Sequence, residues 1–245
     1  MYLTNILRPD EAFGAVFQGV IWDIFFAENT GNEFVYQDMP EILGNYDNRE
    51  GFYENLVKYM AVKGNYKDIS KVDENEVNKN IDRITKYTLI ESNIDLIHNS
   101  NSFYKYKSLF YKDKKSNFDE NYFNVAVHVR RSNKFDNRIE GANTQDTYYL
   151  NVMKQILEKH FDKHVLFHIY SQGDISMFEV YKELNVKFHL DEYLLDTFTD
   201  LVFADALVLS ASSFSYTAGL LSNGEVYYLP FWHKPLNHWI VCHTT

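Results

Sequence analysis

The fold is decided by the stretch FNVAVHV at residues 123–129, a near-continuous apolar run that suits a strand buried on both faces of a sheet. From here to residue 229, predicted strands and helices alternate. The further strands are at Val165–Tyr170, Val186–Leu190, Ala206–Ser210 and Val226–Leu229, and the helices at Thr147–His160, Ile175–Leu184, Leu194–Phe203 and Phe214–Leu221. This alternation predicts a parallel sheet with helices on both faces. Ligands of such sheets bind beyond the carboxyl ends of the strands.

The N-terminal part predicts a second α/β unit. Short strands are expected at Met1–Leu7 and Glu33–Tyr36, and apolar residues at helical spacing predict a helix between them at Ala15–Asn29. Gly14 ends the loop before this helix, where the missing side chain lets a backbone approach a ligand closely. Gly31 follows the helix, as glycine commonly does after a helix C-terminus.

A polar, lysine-rich stretch at Asp113–Asn121 is typical of a surface loop or a lobe boundary. The predicted domains are therefore an N-terminal lobe at residues 1–118 and a C-terminal lobe at residues 119–245. Within the first lobe, Glu50–Met60 and Glu74–Tyr87 are predicted to be helical.

Charge and cysteine content limit the partners. The 245 residues carry 24 Lys and Arg against 34 Asp and Glu, a net charge of -10, so nucleic acids and anionic membranes are not expected partners. One cysteine, Cys242, permits no intrachain disulfide and favours a reducing compartment. The N-terminus lacks the features of a signal peptide, and the apolar run 12–27 is too short to span a bilayer. We expect a cytoplasmic protein without an integral membrane segment.

A cluster of positive charge follows the first strand of the C-terminal lobe. Residues 130–138 contain one acidic side chain, Asp136, and four basic ones, Arg130, Arg131, Lys134 and Arg138. Arginine grips a phosphate through two parallel hydrogen bonds, so a diphosphate fits this position. The alternatives are a solvated basic loop and an arginine paired with a core carboxylate.

Two further strands are followed by polar residues. Asp174 is suited to accept hydrogen bonds from a guanine edge or from ribose hydroxyls, although it also directly precedes a predicted helix and is a good N-cap. Ser210–Ser215 opens a helix whose backbone N–H groups and dipole favour an anion. The alternative for these serines is plain capping.

Other chemistries find no support in the sequence. The nine histidines and one cysteine show no metal-ligand spacing, and neither a Gly-x-Ser-x-Gly elbow nor a phosphate-cradling loop ending in Gly-Lys-Ser/Thr is present. We therefore expect no metal and no cofactor.

Four segments together resemble a known family. His128–Arg131 resembles the His-x-Arg-Arg motif of the α1,2-, α1,6- and protein-O-fucosyltransferases, and Ala204–Ser215 resembles their late motif of Ala-Asp, an apolar strand and paired serines. Phe13–Gln18 is similar to their N-terminal glycine loop, and Ser171–Asp174 to their Asp-bearing motif. The segments occur in the family's order between residues 13 and 215.

The resemblance implies a GT-B fold, with two Rossmann-like lobes that each contain a parallel sheet and a cleft between them. It also implies GDP-fucose as the donor, a glycan acceptor, inversion at the anomeric carbon and no metal requirement. Carried over, Arg131 would hold the β-phosphate, His128 and Asp174 would meet the guanosine, and Gly14 would face the diphosphate from the other lobe. Ser212, Ser213 and Phe214 would line the diphosphate. Arg130, together with Arg131 and the serine helix terminus, is expected to compensate the charge of the GDP leaving group.

The chain departs from the family pattern at Asn133, where an Asp is usual two residues after the arginine pair. A neutral amide forms hydrogen bonds but cannot act as a base. The nearest acidic candidates for a general base are Asp136 and Glu140, with Glu140 favoured. The alternative is that these are loop carboxylates paired with Arg138 or Lys134.

Two other functions remain open at the level of sequence. One is a GT-B transferase that uses another nucleotide sugar, because donor choice depends on a few contacts that the motifs do not specify. The other is a non-catalytic nucleotide- or glycan-binding protein, which the Asn133 departure favours. The sequence specifies neither acceptor, linkage nor oligomeric state.

Overall fold

A computed structural model describes residues 1–6, 11–39, 51–78, 82–131 and 144–243. The chain divides into two compact units, Met1–Lys114 and Lys115–Thr245. The division lies between Lys114 and Lys115, whereas the sequence places it after residue 118. Each unit contains one parallel sheet, so the predicted α/β class with two parallel-sheet lobes is confirmed. The cleft expected between the lobes stays a prediction.

The first unit is built around a four-stranded parallel sheet of order β3-β2-β1-β4. The strands are β1 Tyr2–Thr4, β2 Glu33–Tyr36, β3 Lys67–Asp68 and β4 Val77–Asn78, and the helices are α1 Phe13–Asn29, α2 Phe52–Tyr59, α3 Arg83–Ser92, α4 Ile94–His98 and α5 Asn101–Tyr111. The predicted strand-helix-strand order at the N-terminus is confirmed. Gly31, with φ 71°, follows α1 in the left-handed conformation that favours glycine.

Two predictions in this unit are wrong. Gly14 was expected at the end of the loop before the first helix. It lies instead inside the first turn of α1, because this helix begins at Phe13. The single helix expected at Glu74–Tyr87 is instead a 3₁₀ helix at Glu74–Glu76, the strand β4, and α3 from Arg83. Aspartates explain the interruption, since the Asp73 side chain accepts from Asn75 N and that of Asp82 from Thr85 N, and each begins a new helix.

A buried ion pair joins two helices of the first unit. Asp23 of α1 and Lys86 of α3 form a salt bridge, and both side chains are almost completely inaccessible. The second carboxylate oxygen of Asp23 accepts a hydrogen bond of 2.9 Å from Ile6 N, just after β1. The pair therefore ties α3, α1 and the end of β1 together, and removal of either charge would break a buried ion pair.

The second unit contains a six-stranded parallel sheet of order β10-β9-β8-β5-β6-β7. The strands are β5 Phe123–His128, β6 Val165–Ser171, β7 Val186–Leu190, β8 Ala206–Val208, β9 Glu225–Tyr228 and β10 Ile240–Val241, and the helices are α6 Asp146–Lys159, α7 Leu194–Phe203 and α8 Ser213–Leu221. Every predicted strand is present. The helix expected at Ile175–Leu184 is a 3₁₀ helix, Ile175–Tyr181, broken at Phe178.

The two faces of this sheet differ in polarity. One face presents apolar side chains, among them Val125, Val127 and Phe167, to a large buried cluster. The other carries a buried chain of hydrogen bonds, in which the two ring nitrogens of His168 contact His189 at 3.0 Å and Asn124 at 3.1 Å. Burial, together with the nearby His189 and Lys187, lowers the pKa of His168 to about 4. The His168 imidazole is therefore neutral at neutral pH.

Candidate nucleotide-sugar site

Two strands that lie side by side in the second sheet, β5 and β8, end in polar residues that contact each other. His128 Nδ1 lies 2.8 Å from Ser210 Oγ, and Arg130 Nη1 donates a hydrogen bond of 2.9 Å to Ala211 O. These contacts join residues about eighty positions apart in the chain. The Arg-Arg segment and the serine turn (Ser210–Ser213) therefore meet at the carboxyl edge of a parallel sheet, the position where such sheets bind ligands.

His128 is a neutral member of this edge. Burial, with the positive charge of Arg130 as the second cause, lowers the pKa of His128 to about 3. Its ring lies 5.4 Å from that of Phe214, centroid to centroid. An uncharged imidazole is suited to hydrogen bonding with a nucleoside or a sugar, while the positive charge at this edge comes from the arginines.

The serine turn leads into α8, whose N-terminus faces the same edge. Ser212 is the N-cap, and its Oγ accepts from Phe214 N at 3.3 Å, as the capping alternative predicts. Ser213 Oγ lies 3.3 Å from His233 Nε2. The first backbone N–H groups of a helix lack partners within the helix, and its dipole places partial positive charge there. The turn therefore adds to the positive potential of Arg130.

Arg131 has a different environment from Arg130. Its guanidinium forms an ion pair with Asp146 at the start of α6, and its Nη1 donates to Thr144 O at 3.3 Å. Tyr181 donates its hydroxyl to the same carboxylate, and the guanidinium lies 5.8 Å from the Phe178 ring. Arg131 is therefore paired with a carboxylate, which is one of the alternatives that the sequence left open for the arginines. Its predicted role at the β-phosphate stays a prediction.

This placement gives Arg131 a part in the stability of the second unit, which the substitution Arg131→Ala tests. The side chain of Arg131 is only 13% exposed, so its loss removes a partly desolvated ion pair. The Asp146 carboxylate then keeps the hydrogen bond from the Tyr181 hydroxyl but loses its counterion. We expect the free energy of unfolding to fall by about 1–3 kcal/mol, measured by urea denaturation. Asp146→Asn should cost a similar amount, and the double variant should cost less than the sum of the two. Additive losses would contradict the pairing.

The other predicted site residues are more dispersed. Asp174 is exposed, and its carboxylate accepts from Ser176 N at 2.9 Å as the N-cap of the 3₁₀ helix. This bond lowers the pKa of Asp174. Within the described part of the chain, no hydrogen bond joins Asp174 to His128. Gly14 belongs to the first unit and lies within α1. Asp136 and Glu140 lie outside the described residues.

Sequence reasoning missed an aromatic loop at the same edge. Phe231, Trp232 and His233 follow β9, the neighbour of β8, and His233 contacts the serine turn through Ser213. Three adjacent aromatic residues after a strand are a signal that the sequence contains, but nothing in it specifies that they reach α8. Asp146 and Tyr181, the partners of Arg131, were also missed.

The described ranges contain neither a candidate membrane-spanning helix nor a candidate metal-binding cluster. No helix there combines the length and hydropathy needed to cross a bilayer. Over the same residues, no group of three or more His, Cys, Asp or Glu side chains is placed to hold a metal ion.

No protein-family model and no curated protein matches the chain. Among solved structures, the chain is similar to the fucosyltransferase NodZ from Bradyrhizobium, at 11% identity and a TM-score of 0.45, with 90% of this chain and 93% of the other covered.

Two further solved structures are similar at the same level. For the E. coli heptosyltransferase WaaC with ADP-2-deoxy-2-fluoro heptose, the identity is 10% and the TM-score 0.44, covering 99% of this chain and 93% of the other. For POFUT1 in complex with GDP, the values are 11% and 0.34, covering 91% and 70%. Similarity this low carries no argument about the reaction, the donor or the site residues.

Proposed function

We propose that the protein is a glycosyltransferase that takes fucose from GDP-fucose, transfers it with inversion to a glycan acceptor, and needs no metal ion. One observation carries the proposal. Arg130 is hydrogen-bonded to the serine turn, which brings a guanidinium to the N-terminus of α8 at the carboxyl edge of the second sheet. A guanidinium beside a helix N-terminus is complementary to a diphosphate.

The overall charge supports this assignment. A chain with a net charge of -10 repels a free nucleotide diphosphate, so binding requires a local positive site. Arg130 and the dipole of α8 provide fixed positive charge at this edge, while the charge of Arg131 is offset by Asp146. When the bond between the sugar and the diphosphate breaks, negative charge develops on the leaving GDP, and preorganised donors stabilise it without a metal ion.

The proposed roles follow the order of the elements along the edge. Asp174 and His128 contact the guanosine, and Arg130 with Ser212 and Ser213 contacts the diphosphate. Phe214 packs against His128 and lines the same position. Arg131, held by Asp146, contacts the β-phosphate. Asp136 and Glu140 are the proposed candidates for the base that accepts the proton of the acceptor hydroxyl.

A nucleotide panel in the presence of EDTA tests the donor assignment. We expect GDP and GDP-fucose to raise the melting temperature, since a ligand at a hundredfold excess over its dissociation constant stabilises the folded state by about 2.7 kcal/mol. UDP and dTDP should give smaller shifts. A shift with UDP but not with GDP would indicate another nucleotide sugar, and a shift that EDTA abolishes would contradict the metal-free site.

Turnover separates an enzyme from a binding protein. Labelled GDP-fucose should be consumed slowly by hydrolysis in water and faster with a suitable acceptor. Tight GDP binding without any release of fucose would support the non-catalytic alternative, which Asn133 favours because an amide cannot act as a base.

A further inference from the structure

One tryptophan differs from the other two. The chain has three, and all lie in the described part. Trp22 is 0% and Trp239 is 5% exposed, whereas Trp232 is 54% exposed. A large aromatic side chain on the surface is a common feature of binding sites, because it offers a wide contact area with little side-chain freedom to lose.

The backbone around Trp232 is fixed by buried tyrosines. Tyr228 donates its hydroxyl to His233 O and accepts from Phe231 N at 3.2 Å. Tyr216 of α8 donates to Lys234 O at 2.7 Å. The Phe231 ring packs against that of Trp232 with a centroid distance of 5.0 Å. The aromatic loop (Phe231–His233) is thus held on both sides while the indole stays accessible.

The aromatic loop borders the proposed diphosphate position. It follows β9, and the serine turn follows the neighbouring strand β8. His233 connects them, since its Nε2 lies 3.3 Å from Ser213 Oγ and its ring lies 6.1 Å from that of Trp232. Along the carboxyl edge the order is therefore Asp174 after β6, Arg130 after β5, the serine turn after β8 and Trp232 after β9.

We propose that Trp232 forms the sugar subsite of the donor, where the pyranose ring of the nucleotide sugar packs on the indole. The proposal rests on the proposed function, which places guanosine near β6 and the diphosphate at β5 and β8. In a nucleotide sugar the groups follow one another in the order base, diphosphate and sugar. A donor laid along the edge therefore brings its sugar to the position after β9.

The chemistry of the position matches a pyranose ring. One face of such a ring presents C–H groups and packs on an aromatic surface, while its rim carries hydroxyls that need polar partners. His233, whose ring lies 6.1 Å from the indole, is a polar neighbour, and Ser213 contacts His233 in turn. A fucose ring, with its methyl group, adds apolar area for the indole to cover.

Acrylamide quenching of tryptophan fluorescence tests the subsite directly. Because Trp22 and Trp239 are buried, quenching by acrylamide reports mainly on Trp232. We expect GDP-fucose to protect Trp232 from acrylamide more strongly than GDP does at equal saturation. Trp232→Phe should remove most of the quenchable signal and confirm its source.

Affinities of variants complete the test. Trp232→Ala should bind GDP as the wild type does, but bind GDP-fucose about three- to tenfold more weakly, and Trp232→Phe should lie between. Phe161→Ala is the matched control, because Phe161 is 86% exposed but lies between α6 and β6, at the opposite edge of the sheet. It should change neither affinity.

The two ways of failing are distinguishable. If GDP binds but GDP-fucose protects Trp232 no better, and Trp232→Ala retains the wild-type affinity for GDP-fucose, the sugar subsite is wrong while the nucleotide site stands. If the wild type binds neither GDP nor GDP-fucose, both the subsite and the proposed function are wrong.

Discussion

Lys86→Met is expected to lower the free energy of unfolding by about 3–5 kcal/mol, because it removes one charge of the buried ion pair with Asp23. Methionine retains most of the length of lysine, so the substitution creates no large cavity. The decrease in the free energy of unfolding therefore measures the effect of removing the charge. The backbone hydrogen bond from Ile6 N to Asp23 remains but does not neutralise the carboxylate. Urea denaturation followed by circular dichroism measures the effect.

Lys63→Met is the matched control for this prediction. Lys63 also pairs with an aspartate of the first unit, Asp38, at 2.7 Å, but both side chains are more than half exposed. Exposed pairs contribute at most about 1 kcal/mol, so this variant should differ little from the wild type. Replacing Asp23 by Asn in the Lys86→Met background should recover part of the loss. Equal effects of the two lysine substitutions would contradict the buried pair.

The largest expected effect on activity is that of the general base. Glu140→Gln should lower kcat for fucosyl transfer by about 10²–10⁴-fold, the usual contribution of a positioned base. GDP affinity should be retained, because glutamine preserves the shape of the side chain and the diphosphate contacts come from other residues. Steady-state transfer assays with GDP-fucose, together with a GDP titration, measure both quantities.

Asp136→Asn is the companion variant for this test. If it transfers normally while Glu140→Gln fails, Glu140 is the base. The reverse result moves the role to Asp136. Normal transfer by both variants would mean that the reaction depends on stabilisation of the leaving group, and the segment 133–143 would then contribute to acceptor positioning only.

The second unit was largely predictable from the sequence because its strands are buried in a parallel sheet. A buried strand such as β5, Phe123–His128, is a near-continuous apolar run, and the structure places this strand within the predicted residues 123–129. Among the described strands of this unit, β10 at Ile240–Val241 was missed, since two residues show no periodicity. The meeting of His128 with Ser210 also follows from topology, because the ends of parallel neighbours share one edge.

The first unit was less predictable, for identifiable physical reasons. Its strands β3 and β4 are two residues long, and aspartate caps such as Asp82 break what looks like one helical pattern. Side-chain pairing is not visible in a single sequence either. Asp146 lies 15 positions from Arg131, and Lys86 lies 63 from Asp23, so local spacing gives no sign of either ion pair.

Calorimetric titration with GDP and with guanosine, in EDTA, tests the central claim that the edge formed by Arg130 and the serine turn binds a diphosphate. We expect GDP to bind and guanosine to bind far more weakly, because guanosine lacks the phosphates. Arg130→Ala should weaken GDP binding by about ten- to a hundredfold, the value of a charge-assisted hydrogen bond, and leave the weak guanosine binding unchanged. Equal affinities for guanosine and GDP, or an Arg130→Ala variant that binds GDP like the wild type, would contradict the claim.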